Sequence, residues 1–222
     1  SSENKIDINN IFANNRLGFN DTFESGKSLT IGLDYEKEKA KDLTNINNYF
    51  AFKLATVLRD EEENFVPKKT TINRKTSNIF GSANSIINDN LNFNYNFAID
   101  NDFKTFEYNE FNAELNINNF ITKFNFIEEN GEMGDSNIIE NSFEYDVDNN
   151  NSLSFKTRRN RKLNLTEYYD LVYEYKNDCL TAGIKYKKSF YEDRDLKPTE
   201  NLLFTITLFP ITTYEYDAKG FD

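Results

Sequence analysis

Apolar and polar side chains alternate along this chain from end to end, and that period of two restricts its fold more than any other feature. Successive side chains on a strand point to opposite faces, so the pattern builds one greasy face and one wet face. The clearest run is 91–100, LNFNYNFAID. Leu91, Phe93, Tyr95, Phe97 and Ile99 take one face, and Asn92, Asn94, Asn96 and Asp100 the other, with small Ala98. At 139–148, Ile139, Phe143, Tyr145 and Val147 alternate with Ser142, Glu144, Asp146 and Asp148. Similar runs lie at 28–37, 50–58, 106–117, 120–128, 151–158, 168–176, 180–190 and 201–209, with a weaker one at 78–88. No amphipathic helix of useful length stands out. The pattern predicts an all-β, antiparallel, up-and-down meander of about 11–12 strands in one domain.

These runs are mostly about 8–11 residues long, whereas globular strands have a mode of about 5–6. A strand tilted across a bilayer needs about 9–11. Hydrophobic residues make up only 38% of the chain and mean hydropathy is −0.73, values that also suit a disordered chain. Yet aromatics reach 15%, with 21 Phe and 13 Tyr, and disordered segments are poor in aromatics. A transmembrane barrel reconciles the two, because alternating strands keep mean hydropathy low. Short Asn- and Asp-rich connections at 100–103, 148–151 and 176–179 alternate with long ones at 59–78, 128–138, 158–167 and 190–201. Outer-membrane barrels are laid out in this way, with short turns at one end and long loops at the other. Under that reading a signal peptide is required, and the polar start SSENKIDINN is not one, so residue 1 is expected not to be the true N-terminus. Two alternatives stay open: a complete 12-stranded porin or transporter, and a soluble β-sandwich binding module with its rings turned inward.

A net charge of −11 argues against nucleic acid as a partner. The chain has no His, which removes Ser-His-Asp and Cys-His catalysis. No Gly-rich phosphate loop or metal-ligand cluster appears. The expectation is a protein that is not an enzyme and takes no cofactor.

Two segments carry a resemblance to a known family. In 7–35, the residues Asp7, Asn10, Ile11, Phe12, Asn15, Arg16, Gly18, Asp21, Glu24, Gly26 and Gly32 follow a pattern typical of lipopolysaccharide-assembly proteins of the LptD type. Gly18 stands one place early, and Thr22 occupies a position where a basic residue is usual. In 158–209, a Tyr-rich strand with Tyr173 and Tyr175 leads to a turn carrying Asp178 and Cys179, similar to the family's last strands. Many members have two adjacent cysteines there; here Leu180 follows Cys179.

The resemblance implies the C-terminal part of an outer-membrane barrel, residues 1–222, without the periplasmic domain and early strands. It implies passage of lipopolysaccharide through the barrel and out by a lateral gate into the outer leaflet. Its partners would be a plug lipoprotein (LptE-like), a periplasmic bridge protein (LptA-like) and outer-membrane lipid. On the strand expected to be last, 201–209, Phe204, Ile206 and Leu208 would line the gate. Cys179 would form a disulfide with the absent N-terminal region. Lys53, Lys123, Lys156, Arg158 and Lys185 would face the lumen, where pairing with neighbouring carboxylates is the reading preferred over contact with glycolipid phosphate. Arg158, Arg159, Arg161 and Lys162 would form a basic loop. Tyr35, Tyr108, Tyr168 and Tyr186 are candidates for the aromatic girdle.

Overall fold

The computed structural model describes residues 5–17, 24–42, 45–190, 198–208 and 212–219. Twelve strands follow one another as an antiparallel meander: β1 (Ser28–Asp42), β2 (Asn45–Arg59), β3 (Ile79–Asn88), β4 (Leu91–Ile99), β5 (Phe106–Ile117), β6 (Phe120–Glu129), β7 (Ser136–Asp146), β8 (Asn151–Asn160), β9 (Leu165–Lys176), β10 (Leu180–Ser189), β11 (Thr199–Leu208) and β12 (Thr212–Lys219). Each strand's neighbours in sequence are its neighbours in the sheet, and β1 and β12 are the two ends of that order. The described residues contain one 3₁₀ turn, Lys68–Thr70, and no helix long and apolar enough to cross a membrane.

The predicted fold class is therefore the observed one, with three differences in detail. Strand β12 follows 201–209, so Phe204, Ile206 and Leu208 lie on β11, which has a further strand after it. The ladder of β11 ends at Leu208, before the missing N–H of Pro210. Alternation then resumes in TTYEYDAK. β1 and β2 each run to 15 residues, because pairing continues beyond Tyr35 where alternation fades into charge. The 100–103 connection belongs with the long ones, since it spans 100–105, six residues against two to four in the turns at 89–90, 118–119, 147–150 and 177–179.

Asn and Asp set those short turns. The Asn88 side-chain carbonyl accepts the N–H groups of Asn90 and Leu91, each at 2.9 Å. Asp148 accepts Asn150 at 2.8 Å and Asn151 at 2.9 Å. Asn177 accepts Cys179 at 3.0 Å and Leu180 at 2.8 Å. Each side chain closes its own hairpin, which is the local chemistry that favours these residues in turns. Asn118 adopts φ 54°, a left-handed conformation that Asn tolerates.

The chain forms two compact units, Ser1–Asn112 with Ile127–Ser136, and Ala113–Phe126 with Asn137–Asp222. In the first, the register puts Leu29, Ile31, Leu33 and Tyr35 opposite Leu58, Thr56, Leu54 and Phe52. The same face continues through Ile79, Gly81 and Ala83 to Ile99, Phe97 and Tyr95. It is apolar and open: the four β1 residues are 49–59% exposed. The opposite face carries Gly32, Asp34, Lys53, Ala55, Val57, Phe80 and Ala98. The core lies on that second face. Residues 5–17 and the 60–78 connection fold over it, and Ile6, Ile8, Ile11, Leu17, Val66 and Ile72 form one buried cluster with Ala55, Val57, Phe80, Ala98 and Met133.

In the second unit, one cross-strand row reads Tyr145, Leu153, Tyr173, Ile184, Phe204, Tyr216. Beside it runs Phe143, Phe155, Leu171, Tyr186, Leu202. Phe120, Phe143, Phe155 and Tyr169 stack in succession with centroids 5.5–6.2 Å apart. Such rows stabilise a sheet through cross-strand contact. Many of these side chains remain exposed, Tyr173, Ile184, Phe204 and Tyr216 among them.

Candidate functional site

The first part of the resemblance motif, Asp7 to Arg16, folds into the segment that covers the core-bearing face of the first unit. Asp7 starts it. Its carboxylate accepts the N–H of Asn9 at 2.7 Å and of Asn10 at 3.1 Å, while Asn10 accepts the N–H of Asp7 at 2.9 Å. This reciprocal turn directs Ile8 and Ile11 into the core. Phe12 then lies over Gly32. A Cβ on Gly32 would meet Phe12 Cζ at 2.5 Å and the carbonyl oxygen of Leu54 at 2.9 Å. Gly32→Ala is thus expected to cost about 1–3 kcal/mol through overpacking. The measurement is urea unfolding in detergent, where a change below about 0.5 kcal/mol would show that the segment does not press on the wall.

Arg16 closes the segment. Its guanidinium takes both Glu24 oxygens, with Nε 2.7 Å from Oε2 and Nη2 on Oε1. It also donates to the Ile11 carbonyl at 3.1 Å and to Thr30 Oγ1 at 2.8 Å. Arg59 at the end of β2 donates to the same Glu24 and to the Ser25 carbonyl. The side chains of Arg16, Arg59 and Glu24 are 5%, 1% and 19% exposed. Burial pushes the Glu24 carboxyl up, but the bonds and charges of Arg16 and Arg59 outweigh it and hold its pKa below the ordinary value. Gly26, with φ 78°, turns the chain from this cluster into β1 at an angle costly for any other residue.

At the other end of the segment, Lys5 pairs with Glu129 and its ammonium stands 5.3 Å over the Tyr108 ring. The 60–78 connection is tied down separately. Asn78 is fully buried and donates to Glu107 at 2.6 Å, and Arg74 reaches Glu132 at 2.8 Å.

The motif's Asn15 is exposed at the surface of this segment, and Gly18 and Asp21 lie outside the described residues. Sequence reasoning missed Arg59, Val66, Ile72 and Met133. No local pattern marks Arg59, whose partner is 35 residues away.

The second unit has a charged face behind its aromatic one. Arg158 bridges Glu140 at 3.2 Å and Glu167 at 2.7 Å. Lys185 meets Asp170 at 3.0 Å, and Lys156 faces the same Asp170 in register. Lys123 reaches Glu114 at 3.5 Å, and in the first unit Lys53 reaches Asp34 at 2.9 Å. These cations are matched by carboxylates. Arg158 and Arg159 are in β8 rather than a loop; Arg161 and Lys162 occupy the 161–164 connection.

Two girdle candidates are displaced. Tyr108 packs against the core cluster and donates to Glu110 at 3.0 Å. Tyr168 shares its face with Arg158 and Lys187, because its neighbour Tyr169 takes the apolar side and adjacent strand residues cannot share one. Tyr35 and Tyr186 do stand exposed on the apolar faces. Cys179 is exposed in the short 177–179 turn. The sequence matches no protein-family model and no curated protein.

Proposed function

We propose that the chain is the C-terminal part of an outer-membrane barrel of the lipopolysaccharide-assembly type, a passive conduit that releases lipopolysaccharide sideways into the outer leaflet. One observation carries this reading: each unit leaves an apolar sheet face open while the reverse face is charged or covered by its own chain. A soluble sandwich requires the opposite, with rings packed against a second layer. In lipid such a face is the favourable one, and the strand lengths of 8–15 residues match the ~9–11 a bilayer crossing needs. Side chains on the wet face pair with one another, which suits the wall of a passive conduit. Energy for transport comes from elsewhere, through a periplasmic bridge protein, and a plug lipoprotein occupies the lumen. Lateral release belongs at β12, with Tyr214 and Tyr216 outermost and Phe204 and Ile206 on the adjacent strand.

Orientation gives the test. Short turns belong on the periplasmic side, which places Cys179 there. A membrane-impermeant maleimide, applied under reducing conditions, is expected to spare Cys179 in intact cells and to label it once the outer membrane is permeabilised. Labelling in intact cells would refute the orientation; recovery of the whole protein in the soluble fraction would refute the membrane reading.

A further inference from the structure

The apolar face of the second unit turns basic near its long connections. On β10 it runs through Ala182, Ile184 and Tyr186 to Lys188; on β11 it runs back through Ile206, Phe204 and Leu202 to Glu200, opposite Lys188. On β8 it runs through Leu153 and Phe155 to Thr157 and then Arg159, which stands beside Ile139 of β7. Cations on a lipid-facing strand are costly at mid-bilayer and tolerated near its surface.

These two cations are set differently from those of the reverse face, where Arg158 and Lys185 pair with carboxylates. A bulge gives Glu167 to Arg158 and leaves Thr166 opposite Arg159. Among the described residues no carboxylate pairs with Arg159, which is exposed and donates to Asn164 Oδ1 at 2.6 Å. Asn164 is itself in a left-handed turn, with φ 50°. A guanidinium has five N–H donors, and this bond uses one. Lys188 bonds Glu200, and its ammonium stands 5.5 Å over the Phe190 ring. Opposite Lys188 is Tyr169, the last ring of the stack through Phe120, Phe143 and Phe155, with Phe190 edge-on to it at 6.0 Å.

We propose that Arg159 and Lys188 form a headgroup site for a lipid carrying an anionic phosphate, whose chains lie along the aromatic row beside them. This rests on the membrane reading of the proposed function and adds a bound ligand class to its lipid-facing side. The arginine fork takes two phosphate oxygens, and lysine adds a point charge. Free phosphate gains nothing from the rings, whereas a lipid gains both contacts. A chain of net charge −11 repels anions as a whole, so a preference for acidic lipid has to come from a local site.

The test uses the full-length protein in phosphatidylcholine vesicles carrying a trace of nitroxide-labelled lipid. Electron paramagnetic resonance reads the fraction of label immobilised at the protein. Wild type is expected to hold labelled phosphatidic acid about fivefold more strongly than labelled phosphatidylcholine, the contribution of one basic residue at a membrane surface. Arg159→Gln is expected to bring the two lipids level, and Arg159→Lys to keep most of the preference. Lys123→Gln, which removes the same charge from the reverse face, is expected to behave as wild type. Inorganic phosphate added at constant ionic strength is expected to change nothing. Equal association of the two lipids with wild type, an unchanged preference in Arg159→Gln, an equal loss in Lys123→Gln, or displacement by inorganic phosphate would each overturn the site. If no label is immobilised at all, the membrane reading falls with it; label held without preference overturns the site alone.

Discussion

Ile184→Arg is expected to destabilise the chain by about 2–4 kcal/mol in a bilayer and by no more than about 0.5 kcal/mol in water. Ile184 sits in the interior of β10, between Tyr173 on β9 and Phe204 on β11, and its side chain is exposed. In water an exposed position accepts arginine with little penalty. In hydrocarbon the guanidinium loses its hydration, and the middle of a strand is the place from which it reaches the surface least easily. The neighbouring Lys185 lies on the charged face, paired with Asp170, so Lys185→Arg serves as the matched control and is expected to change little. Unfolding titrations in lipid vesicles measure both. Equal, small effects at the two positions would place the aromatic face in water and end the membrane reading.

Glu24→Gln is expected to cost about 3–5 kcal/mol, because it leaves two buried guanidinium groups without a counter-charge. The shape of the side chain is kept, so the loss reports charge and not a cavity. Urea unfolding followed through the first unit measures it, and a change under about 1 kcal/mol would mean that solvent, not Glu24, balances Arg16 and Arg59. Acid is expected to act in the same direction. The folded carboxyl is held below its unfolded value, so its contribution is complete above the ordinary glutamate pKa of about 4.3. That contribution declines as pH falls through the lower folded value. The Glu24→Gln protein, already neutral at this position, is expected to lose this part of the acid response.

Much of this architecture was legible in the alternation itself. LNFNYNFAID became β4 almost residue for residue, since local pattern and strand geometry share one period. β12 was harder to see, because the sequence FPI at 209–211 interrupts the alternation just before TTYEYDAK. Residues 5–17 show a different limit. Ile6 and Ile8 alternate with polar residues and Ile11 falls three places on, but in a segment rich in Asn and Asp that reads as a polar start. Their burial depends on a wall supplied by strands far along the chain. The Arg16–Glu24 pairing could have been suspected from the motif; the Arg59 contact could not, because nothing local encodes it. Adjacent tyrosines at 168 and 169 illustrate the same point at finer scale: composition marks the pair, and only the register decides which ring faces which way.

The Asx-closed turns have a consequence for how such a sheet is built. Asn88, Asp148 and Asn177 each fix a two-strand ribbon using atoms within three residues of themselves. Hairpins form in microseconds, and partners close in sequence meet at small entropic cost. The chain can therefore reach its destination as ribbons already in register, with β3–β4, β7–β8 and β9–β10 zipped from their tips. What remains for the site of assembly is to join ribbon to ribbon along their long-loop ends, a task of a few alignments instead of one for every strand.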